Sequence, residues 1–387
     1  MAERVGIEVS IAAAEAVGLC DADVVAAYPI TPQTHIVEHL SELVAQGKLD
    51  AEFVPVESEH SAMSVCCGSA AAGARTFTST ASQGLALMGE IVYIAASMRL
   101  PMVMLLANRA LSAPLSIWND HSDVMMVRDS GWIQIFSSNG QDVYDHIFHA
   151  FRVSEDPNVS LPVMINMDGF ILTHVIEPIE FWTKKMAEEY LPPFQPLHRL
   201  HPDKVVTMGA FGMPEIFTEQ KMAHDQALIN SKPVIAKAWE DLAKLTGRQY
   251  SAVESYKTEA AETLIVAMGS ISETASLAVD RMRDQGKKIG LINLRLWRPF
   301  PGDEIKAALK DAKNVVVLDR SVSIGGANAP VTSEIRSIMY NEVDRPKIHC
   351  MIVGIGGRDV SPEDVSEMVD IALADTGAEY TVYGVRS

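Results

Sequence analysis

Short, continuous apolar runs that alternate with helical segments constrain the fold of this chain more than any other feature. Segments with helical character, at 7–19, 33–46, 59–73, 84–97 and 141–154, lie between the runs of the first 175 residues. The apolar runs, each bounded by turn residues, lie at 23–27, 52–56, 75–79, 101–106, 132–136 and 162–166. Strands buried on both faces have this continuous apolar pattern. Their alternation with helices predicts an α/β layered domain built on a mostly parallel sheet.

A second α/β unit is predicted in the last third of the chain. Strand candidates at 263–270, 288–294, 314–321 and 347–354 alternate with helix candidates at 271–285, 302–311 and 330–340. The intervening region is rich in proline and polar residues, and only 218–247 has helical spacing. We therefore predict a first domain at 1–175, an extended excursion or linker at 176–258 and a second domain at 259–387. An excursion of this length is usually functional or wraps a partner.

Composition argues against several classes of partner and site. The net charge of −18, from 32 Lys and Arg against 50 Asp and Glu, disfavours binding to nucleic acid or to an anionic membrane surface. The four cysteines form no CxxC pair, so we expect no disulfide framework, zinc site or iron–sulfur cluster ligated by this chain alone. No histidine pair has HExxH spacing, so no metal site is predicted. The same cysteine pattern is typical of a reducing cytoplasm, so we predict a cytoplasmic protein. We see no signal peptide and no apolar run of the roughly 20 residues that span a bilayer.

The stretch YPITPQT at 28–34 directly follows the first apolar run. Pro29 and Pro32 exclude a helix interior, because proline lacks an N–H and forces the preceding residue out of the α region. Two interpretations remain open at this point. The stretch is either an ordinary strand-to-helix turn or a rigid floor that holds a ligand.

Two acids follow the second apolar run, in the sequence VPVESEHSAM. Glu57 and Glu59 are two residues apart and therefore do not share a helix face. In one interpretation both are first-turn carboxylates that interact favourably with the helix dipole. In the other, Glu59 is a partly buried acid that is suited to sharing a proton with a ligand.

The third apolar run leads into TSTASQGL, with Gln83-Gly84 close to the start of the next helix. Small side chains there leave backbone N–H groups open to an anion or to a polar ring, although a plain polar loop has the same composition. The GxxxxGK[ST] and GxGxxG spacings are absent, so nucleotide binding is not supported.

Arg109 follows the most apolar run, at the strand end where α/β folds bind ligands. It either pairs with a nearby acid, Asp120 or Asp123, or holds a carboxylate substrate bidentately. Two further segments are interpreted as turns: the Asp168-Gly169 pair and the glycine-rich loop at 320–330.

Taken in order, seven segments resemble the alpha subunit of the 2-oxoacid:ferredoxin oxidoreductases, especially the multi-subunit pyruvate type. They are AYPITPQT, ESEHSAM, TSTASQGL, NRALSAPLSIWNDHSD, DSGW, DGF and VLDRSVSIGG…GGRDV. No single motif is specific, but the ordered set is, and it covers nearly the whole chain. The resemblance implies a thiamine-diphosphate-binding (pyrimidine-type) parallel-sheet domain followed by a transketolase C-terminal-like α/β domain. It also implies oxidative decarboxylation of a 2-oxoacid to an acyl-coenzyme A and CO2.

The resemblance also implies roles for individual residues. Glu59 corresponds to the family acid that hydrogen-bonds to a ring nitrogen of the aminopyrimidine. Thr31 corresponds to a residue that hydrogen-bonds to the substrate, and Arg109 to the residue that binds the substrate carboxylate. Further cofactor contacts are expected at Pro29, Gln83 and Gly84.

The family's cofactors and partners follow from the same resemblance. Thiamine diphosphate is expected to be shared with a beta subunit, and Mg²⁺ and 4Fe–4S clusters are expected on partner subunits of the beta, gamma and delta types. Coenzyme A and the 2-oxoacid are the expected substrates. Ferredoxin, or NAD through a flavin subunit, is the expected electron acceptor. Pyruvate is favoured, while an aromatic 2-oxoacid such as phenylglyoxylate, a branched-chain 2-oxoacid and a non-catalytic assembly subunit are the alternatives.

Overall fold

A computed structural model describes residues 3–374 and 377–386. The first part of the chain contains eight strands and seven helices among these residues. The strands are β1 (Glu3–Glu8), β2 (Val24–Ala27), β3 (Glu52–Pro55), β4 (Thr76–Thr80), β5 (Val103–Asn108), β6 (Ile133–Phe136), β7 (Val163–Asp168) and β8 (Ile176–Phe181). The helices are α1 (Val9–Leu19), α2 (Thr34–Ala45), α3 (Glu59–Ala72), α4 (Ser82–Ser97), α5 (Ser122–Met126), α6 (Gly140–Ser154) and α7 (Lys184–Tyr190).

The rest of the described chain continues the alternation of strands and helices. Its helices are α8 (Pro214–Asn230), α9 (Lys232–Thr246), α10 (Ile271–Asp284), α11 (Gly302–Leu309), α12 (Pro330–Met339) and α13 (Pro362–Ala374). Its strands are β9 (Val253–Tyr256), β10 (Thr263–Ala267), β11 (Ile289–Leu294), β12 (Leu296–Arg298), β13 (Asn314–Asp319), β14 (Lys347–Ile352) and β15 (Thr381–Val382). The strands and helices predicted for both α/β units are confirmed, with ends that shift by only a few residues.

Two large sheets organise the molecule. The first has the strand order β12-β6-β7-β5-β4-β2-β3, and only β12 runs antiparallel to its neighbour. The second has the order β15-β14-β13-β10-β11-β9, and only β9 is antiparallel. The mostly parallel α/β architecture predicted from the apolar runs is therefore confirmed.

Strand β12 joins the two units, and the sequence pattern does not predict it. It belongs to the second unit by its place in the chain, yet it pairs with β6 of the first sheet, with Leu296 opposite Ile135. A buried apolar cluster continues this contact, because Trp132 and Trp297 pack in one core with residues of both large sheets. Three residues are too few for a periodic signal, so the pairing depends on tertiary contact alone.

The region between the two units is more structured than its composition indicates. Strand β8 pairs antiparallel with β1, and α9 packs on α6. The helical spacing at 218–247 is confirmed by α8 and α9. Helix α8 buries only Ala227, so most of its surface is open to solvent. The division of the chain at residues 175 and 258 stays a prediction.

Two histidines lie wholly inside the first unit, on α6. His149 stacks on Trp239 with ring centroids 4.6 Å apart, and its Nε2 lies 3.1 Å from the Ile235 carbonyl oxygen. Burial lowers the pKa of His149 to about 4 and holds the pKa of His146 well below its usual range. Both histidines are therefore neutral in the folded chain at pH 7.

We expect His149 to make a contribution that destabilises the folded chain as the pH falls from about 6.5 to about 4. An unfolded histidine takes up a proton near pH 6.5, whereas folded His149 does so only near pH 4, so acid favours the unfolded state. The resulting loss is on the order of 3 kcal/mol for His149 alone. Urea unfolding of the parent and of a His149→Phe variant at pH 7 and pH 4.5 measures it as a difference, because buried acids such as Asp123 change the stability in the opposite direction over this range. The variant keeps the aromatic stack, and its change in stability from pH 7 to pH 4.5 is expected to be more favourable than that of the parent by on the order of 3 kcal/mol. An equal change in the two proteins contradicts a neutral, buried His149.

Candidate active site

Four neighbouring strands of the first sheet end at one edge, and each is followed by a predicted site residue. In spatial order the strands are β3, β2, β4 and β5, all parallel. Glu59 follows β3, Thr31 follows β2, Gln83 follows β4 and Arg109 follows β5. The carboxyl ends of parallel strands are the usual ligand-binding edge of an α/β sheet. The fold therefore brings together residues that are 78 positions apart in the chain, since Arg109 donates to the Thr31 carbonyl.

Glu59 is the first residue of α3 and is only 7% exposed. Ser58 caps this helix, because its hydroxyl accepts a hydrogen bond of 3.2 Å from the Ser61 backbone N–H. The Glu59 carboxylate forms no hydrogen bond or ion pair with any of the described residues. Glu57, two positions earlier, is exposed and accepts a hydrogen bond from Ser61. The two acids therefore have different surroundings, and only Glu59 is a buried acid without a partner.

Gly84 lies against the Glu59 side chain in the first turn of α4. A Cβ atom at Gly84 would approach Glu59 Oε1 to 2.9 Å and Thr80 Oγ1 to 2.3 Å. Only glycine leaves room for this approach, so the close contact explains the residue at position 84. Beside Gly84, the buried Thr80 Oγ1 also has no hydrogen-bond partner among the described residues.

The Arg109 guanidinium is buried and is held by neutral oxygens. Its Nε donates to the Ser116 carbonyl at 2.8 Å, and one terminal nitrogen donates to the Thr31 carbonyl at 2.8 Å. The other terminal nitrogen lies 3.3 Å from Gln83 Oε1. Burial lowers the pKa of this guanidinium, and the nearby Asp123 charge partly offsets the effect.

The guanidinium forms no hydrogen bond or ion pair with a carboxylate of the described residues. Asp123 accepts the backbone N–H of Arg109, at 3.0 Å, but no bond from the Arg109 side chain. Asp120 bonds to Ser122 and Gly356 instead. The interpretation of Arg109 as the partner of either acid is therefore wrong. A buried cation without an acidic partner is suited to binding the carboxylate of a ligand.

Hydrogen bonds within the stretch at 28–34 fix its conformation. Gln33 donates to the Tyr28 carbonyl at 2.8 Å, and its backbone N–H bonds to the Ile30 carbonyl. Pro32 is buried, whereas Pro29 and Thr31 are exposed at the sheet edge. The hydroxyl of Thr31 and the ring of Pro29 are therefore open to a ligand, although no contact in the described structure assigns them one.

Asp123 joins the loops that follow β4 and β5. Its carboxylate accepts backbone N–H groups of Ser82 at 3.1 Å, Arg109 at 3.0 Å and Val124 at 2.8 Å. The Asn108 amide donates to it at 3.1 Å. Complete burial raises the pKa of Asp123 to about 7 despite these donors. The sequence pattern indicates Asp123 only as a partner for the Arg109 side chain, and it does not predict that the Asp123 carboxylate joins these two loops.

The Asp168-Gly169 pair predicts a turn after β7, and a turn begins at Gly169, but the sequence does not predict the ion pairs of the Asp168 side chain. Its fully buried carboxylate lies 2.8 Å from His121 Nε2 and 3.1 Å from a terminal nitrogen of Arg320. The backbone N–H of Ser270 donates to it at 2.9 Å. The available signal was an acid at the end of a strand that is buried on both faces. Its partners lie up to 152 residues away, which no local pattern indicates.

The described residues contain no group of three or more His, Cys, Asp or Glu side chains arranged to hold a metal ion. None of the helices in the described ranges is long and apolar enough to cross a bilayer.

Two family models match the chain. The one described as pyruvate flavodoxin/ferredoxin oxidoreductase, thiamine diphosphate binding, matches residues 15–239. The one described as pyruvate:ferredoxin oxidoreductase core domain II matches residues 261–365. The two matches follow the order of the two sheets along the chain.

Curated relatives align over nearly the whole chain. Pyruvate synthase subunit PorA of Methanocaldococcus jannaschii is 48% identical, over 93% of this chain and 92% of that protein. Pyruvate synthase subunit PorA of Thermotoga maritima is 44% identical, over 96% and 95%. Ketoisovalerate oxidoreductase subunit VorA of Pyrococcus horikoshii is 40% identical, over 90% and 88%.

Solved structures support the fold. A 2-oxoglutarate:ferredoxin oxidoreductase from Magnetococcus marinus superposes with a TM-score of 0.72 at 18% identity, and covers 96% of this chain. This chain spans 66% of that longer one. A split-gene transketolase superposes with a TM-score of 0.55 at 14% identity. The expected pairing of a thiamine-diphosphate-binding domain with a transketolase-like domain is therefore confirmed, and the chain belongs to the pyruvate flavodoxin/ferredoxin oxidoreductase family.

Proposed function

We propose that this chain is the subunit that holds the aminopyrimidine of thiamine diphosphate and the 2-oxoacid, within an enzyme that converts pyruvate to an acyl-coenzyme A and CO2. One observation carries the proposal. A single sheet edge holds a buried acid, Glu59, and a buried guanidinium, Arg109, and neither has a charged partner among the described residues. Membership of the family and the names of the full-length relatives support pyruvate.

The residues near Glu59 fit an aminopyrimidine ring. The ring offers nitrogen atoms that exchange hydrogen bonds with a carboxyl group and with amide or hydroxyl oxygens. Glu59 and the buried Thr80 hydroxyl supply such partners, and Gly84 keeps the space beside them open to a flat group. Thiamine diphosphate, when bound, supplies the carbanion chemistry that a 2-oxoacid needs to lose CO2. In this arrangement Glu59 holds a proton at a ring nitrogen and stabilises the tautomer that is competent for proton transfer.

Arg109 and Thr31 are proposed to bind the substrate. The guanidinium binds the carboxylate, and its bonds to the Thr31 and Ser116 carbonyls fix its orientation before the ligand arrives. The Thr31 hydroxyl, held on the rigid stretch between two prolines, donates a hydrogen bond to the substrate with little conformational freedom left to lose. Pro29, Gln83 and Gly84 line the cofactor side of the same edge.

The remaining parts of the enzyme are proposed on partner subunits. The chain has no GDG…NN diphosphate-binding motif and no CxxC pair, which supports a beta subunit that binds the diphosphate and Mg²⁺. Subunits of the gamma and delta types complete the complex, 4Fe–4S clusters on partner subunits remove the electrons, and coenzyme A accepts the acyl group. Ferredoxin, or NAD through a flavin subunit, is the acceptor. The word subunit in the relatives' names supports an assembly.

Anaerobic dye reduction by the purified complex with coenzyme A tests the proposal. We expect kcat/KM for pyruvate to exceed that for 2-oxoisovalerate by at least about tenfold, because a pocket shaped for a methyl group excludes a branched chain. The ketoisovalerate relative at 40% identity makes the branched acid the second candidate. Preference for 2-oxoisovalerate or phenylglyoxylate would reassign the substrate with the same residues in place. No reduction by an intact complex with any of the three acids would favour an assembly subunit.

A further inference from the structure

The second sheet has a crevice of the kind that binds ligands in α/β proteins. Strand β10 lies between β11 and β13, so the chain leaves β10 in one direction and later returns to its other side. The crevice at the carboxyl ends of β10 and β13 is therefore a topological switch point, the usual ligand position in such sheets. Ser270 follows β10 and Arg320 follows β13, so both line this crevice.

A side chain of the first unit occupies the crevice. Asp168, the last residue of β7, places its carboxylate at the N-terminus of α10, where the backbone N–H and the hydroxyl of Ser270 both donate to it. Arg320 donates to the same oxygen at 3.1 Å. Gly269 has a φ of +79°, and a Cβ there would lie 3.0 Å from the carboxylate. The second unit thus binds this carboxylate as an α/β domain binds a small anion.

The other carboxylate oxygen reaches the loop that carries Arg109. Asp168 Oδ1 lies 2.8 Å from His121 Nε2, and the His121 backbone N–H donates to the Arg320 carbonyl at 2.9 Å. Next to His121, the Asp120 carboxylate accepts the Gly356 backbone N–H of the second unit at 3.2 Å. The loop from Arg109 to His121 is therefore attached to the second unit at the point where Asp168 enters it.

We propose that Asp168 is a positioning residue whose carboxylate, bound in the crevice of the second sheet, fixes the 109–121 loop and so the Arg109 guanidinium. A further contact acts at the start of the same loop. The Gly169 backbone N–H, next to Asp168, donates to the Asn108 carbonyl directly before Arg109. The role proposed for Asp168 is therefore limited to the position of this loop. It rests on the proposed role of Arg109 in binding the substrate carboxylate. A shift of about 1 Å in a group that orients the substrate lowers the reaction rate by on the order of 100-fold.

The test uses Asp168→Ala and Asp168→Asn in the assembled complex. We expect KM for the 2-oxoacid to rise at least about tenfold with a smaller change in kcat, and amide hydrogen exchange in residues 109–121 to accelerate. General destabilisation would instead lower the active fraction, and hence the apparent kcat, and leave KM unchanged. If Asp168→Ala does not assemble, Asp168→Asn and Ser270→Ala are used instead, and we expect a smaller rise in KM and a smaller acceleration of exchange in residues 109–121.

Formate provides a second readout, because it matches the carboxylate that Asp168→Ala removes. We expect formate to slow loop exchange in that variant and to raise its apparent KM less than it raises that of the parent complex, in which formate only competes with the substrate. Asp145→Ala is the matched control. Asp145 is also buried and bonded to an arginine, Arg248, but it contacts neither the loop nor the crevice.

Unchanged KM and unchanged loop exchange in both Asp168 variants would overturn the proposal. The same follows if Asp145→Ala, with or without formate, behaves like Asp168→Ala. Turnover of the parent complex on a 2-oxoacid is measured first and tests the proposed function separately. Hydrogen exchange in residues 109–121 tests the role of Asp168 even if the substrate is reassigned.

Discussion

Replacing Glu59 by Gln is expected to reduce turnover of the assembled complex about 10²–10⁴-fold, the usual contribution of a positioned acid or base. Glutamine has nearly the same size, so the contact with Gly84 and the cap of α3 by Ser58 remain. The amide does not exchange a proton with the ring nitrogen of the cofactor. The loss is therefore expected in kcat, measured by dye reduction at saturating 2-oxoacid and coenzyme A.

Glu57→Gln is a matched control for this substitution. Glu57 lies two residues earlier on the same segment, but it is exposed and bonded to Ser61 rather than facing Gly84. We expect turnover within about twofold of the parent complex, as for most exposed substitutions. Equal and small effects of the two variants, with intact assembly, would remove Glu59 from the catalytic step and favour an assembly role for the chain.

The fold was largely predictable because its strands are buried on both faces. A run such as residues 101–106 has no polar position, which is typical of a strand buried on both faces, and the alternation of such runs with helices favours a parallel sheet. The edge strands depend on contacts far along the chain instead. Leu296 in β12 packs into the first sheet, and nothing in the three residues of that strand distinguishes them from a loop.

In the site, too, local sequence patterns predict some features, whereas others depend on contacts between residues far apart in the chain. The positions of Thr31, Glu59 and Arg109 at strand ends follow from the order of the apolar runs, and the fold places all three at one edge. Their partners do not follow. Whether Arg109 bonds to Asp123 or to carbonyl oxygens depends on the path of the loop after β5. That loop is bonded to the second unit, where the His121 backbone N–H donates to the Arg320 carbonyl.

Replacing Arg109 by Ala is expected to raise KM for the 2-oxoacid about 10–100-fold, with Arg109→Lys closer to the lower limit. A hydrogen bond to a charged group contributes about 1.5–3 kcal/mol, and tenfold in KM corresponds to about 1.4 kcal/mol. Lysine keeps the charge but not the planar fork that binds a carboxylate with two parallel bonds. Steady-state kinetics with pyruvate, and inhibition by the unreactive carboxylate oxamate, measure the effect on binding independently of turnover.

Arg99 provides the control, because its guanidinium is also held by backbone carbonyls, those of Ser160 and Val159. It lies before β5, at the opposite end of the strand from Arg109, so Arg99→Lys is expected to leave KM and oxamate inhibition unchanged. If Arg109→Ala weakens neither pyruvate nor oxamate, the buried cation does not bind the substrate carboxylate. If pyruvate and oxamate bind more weakly by the same factor while the affinity for coenzyme A is constant, the unpaired Arg109 guanidinium binds the carboxylate of the substrate.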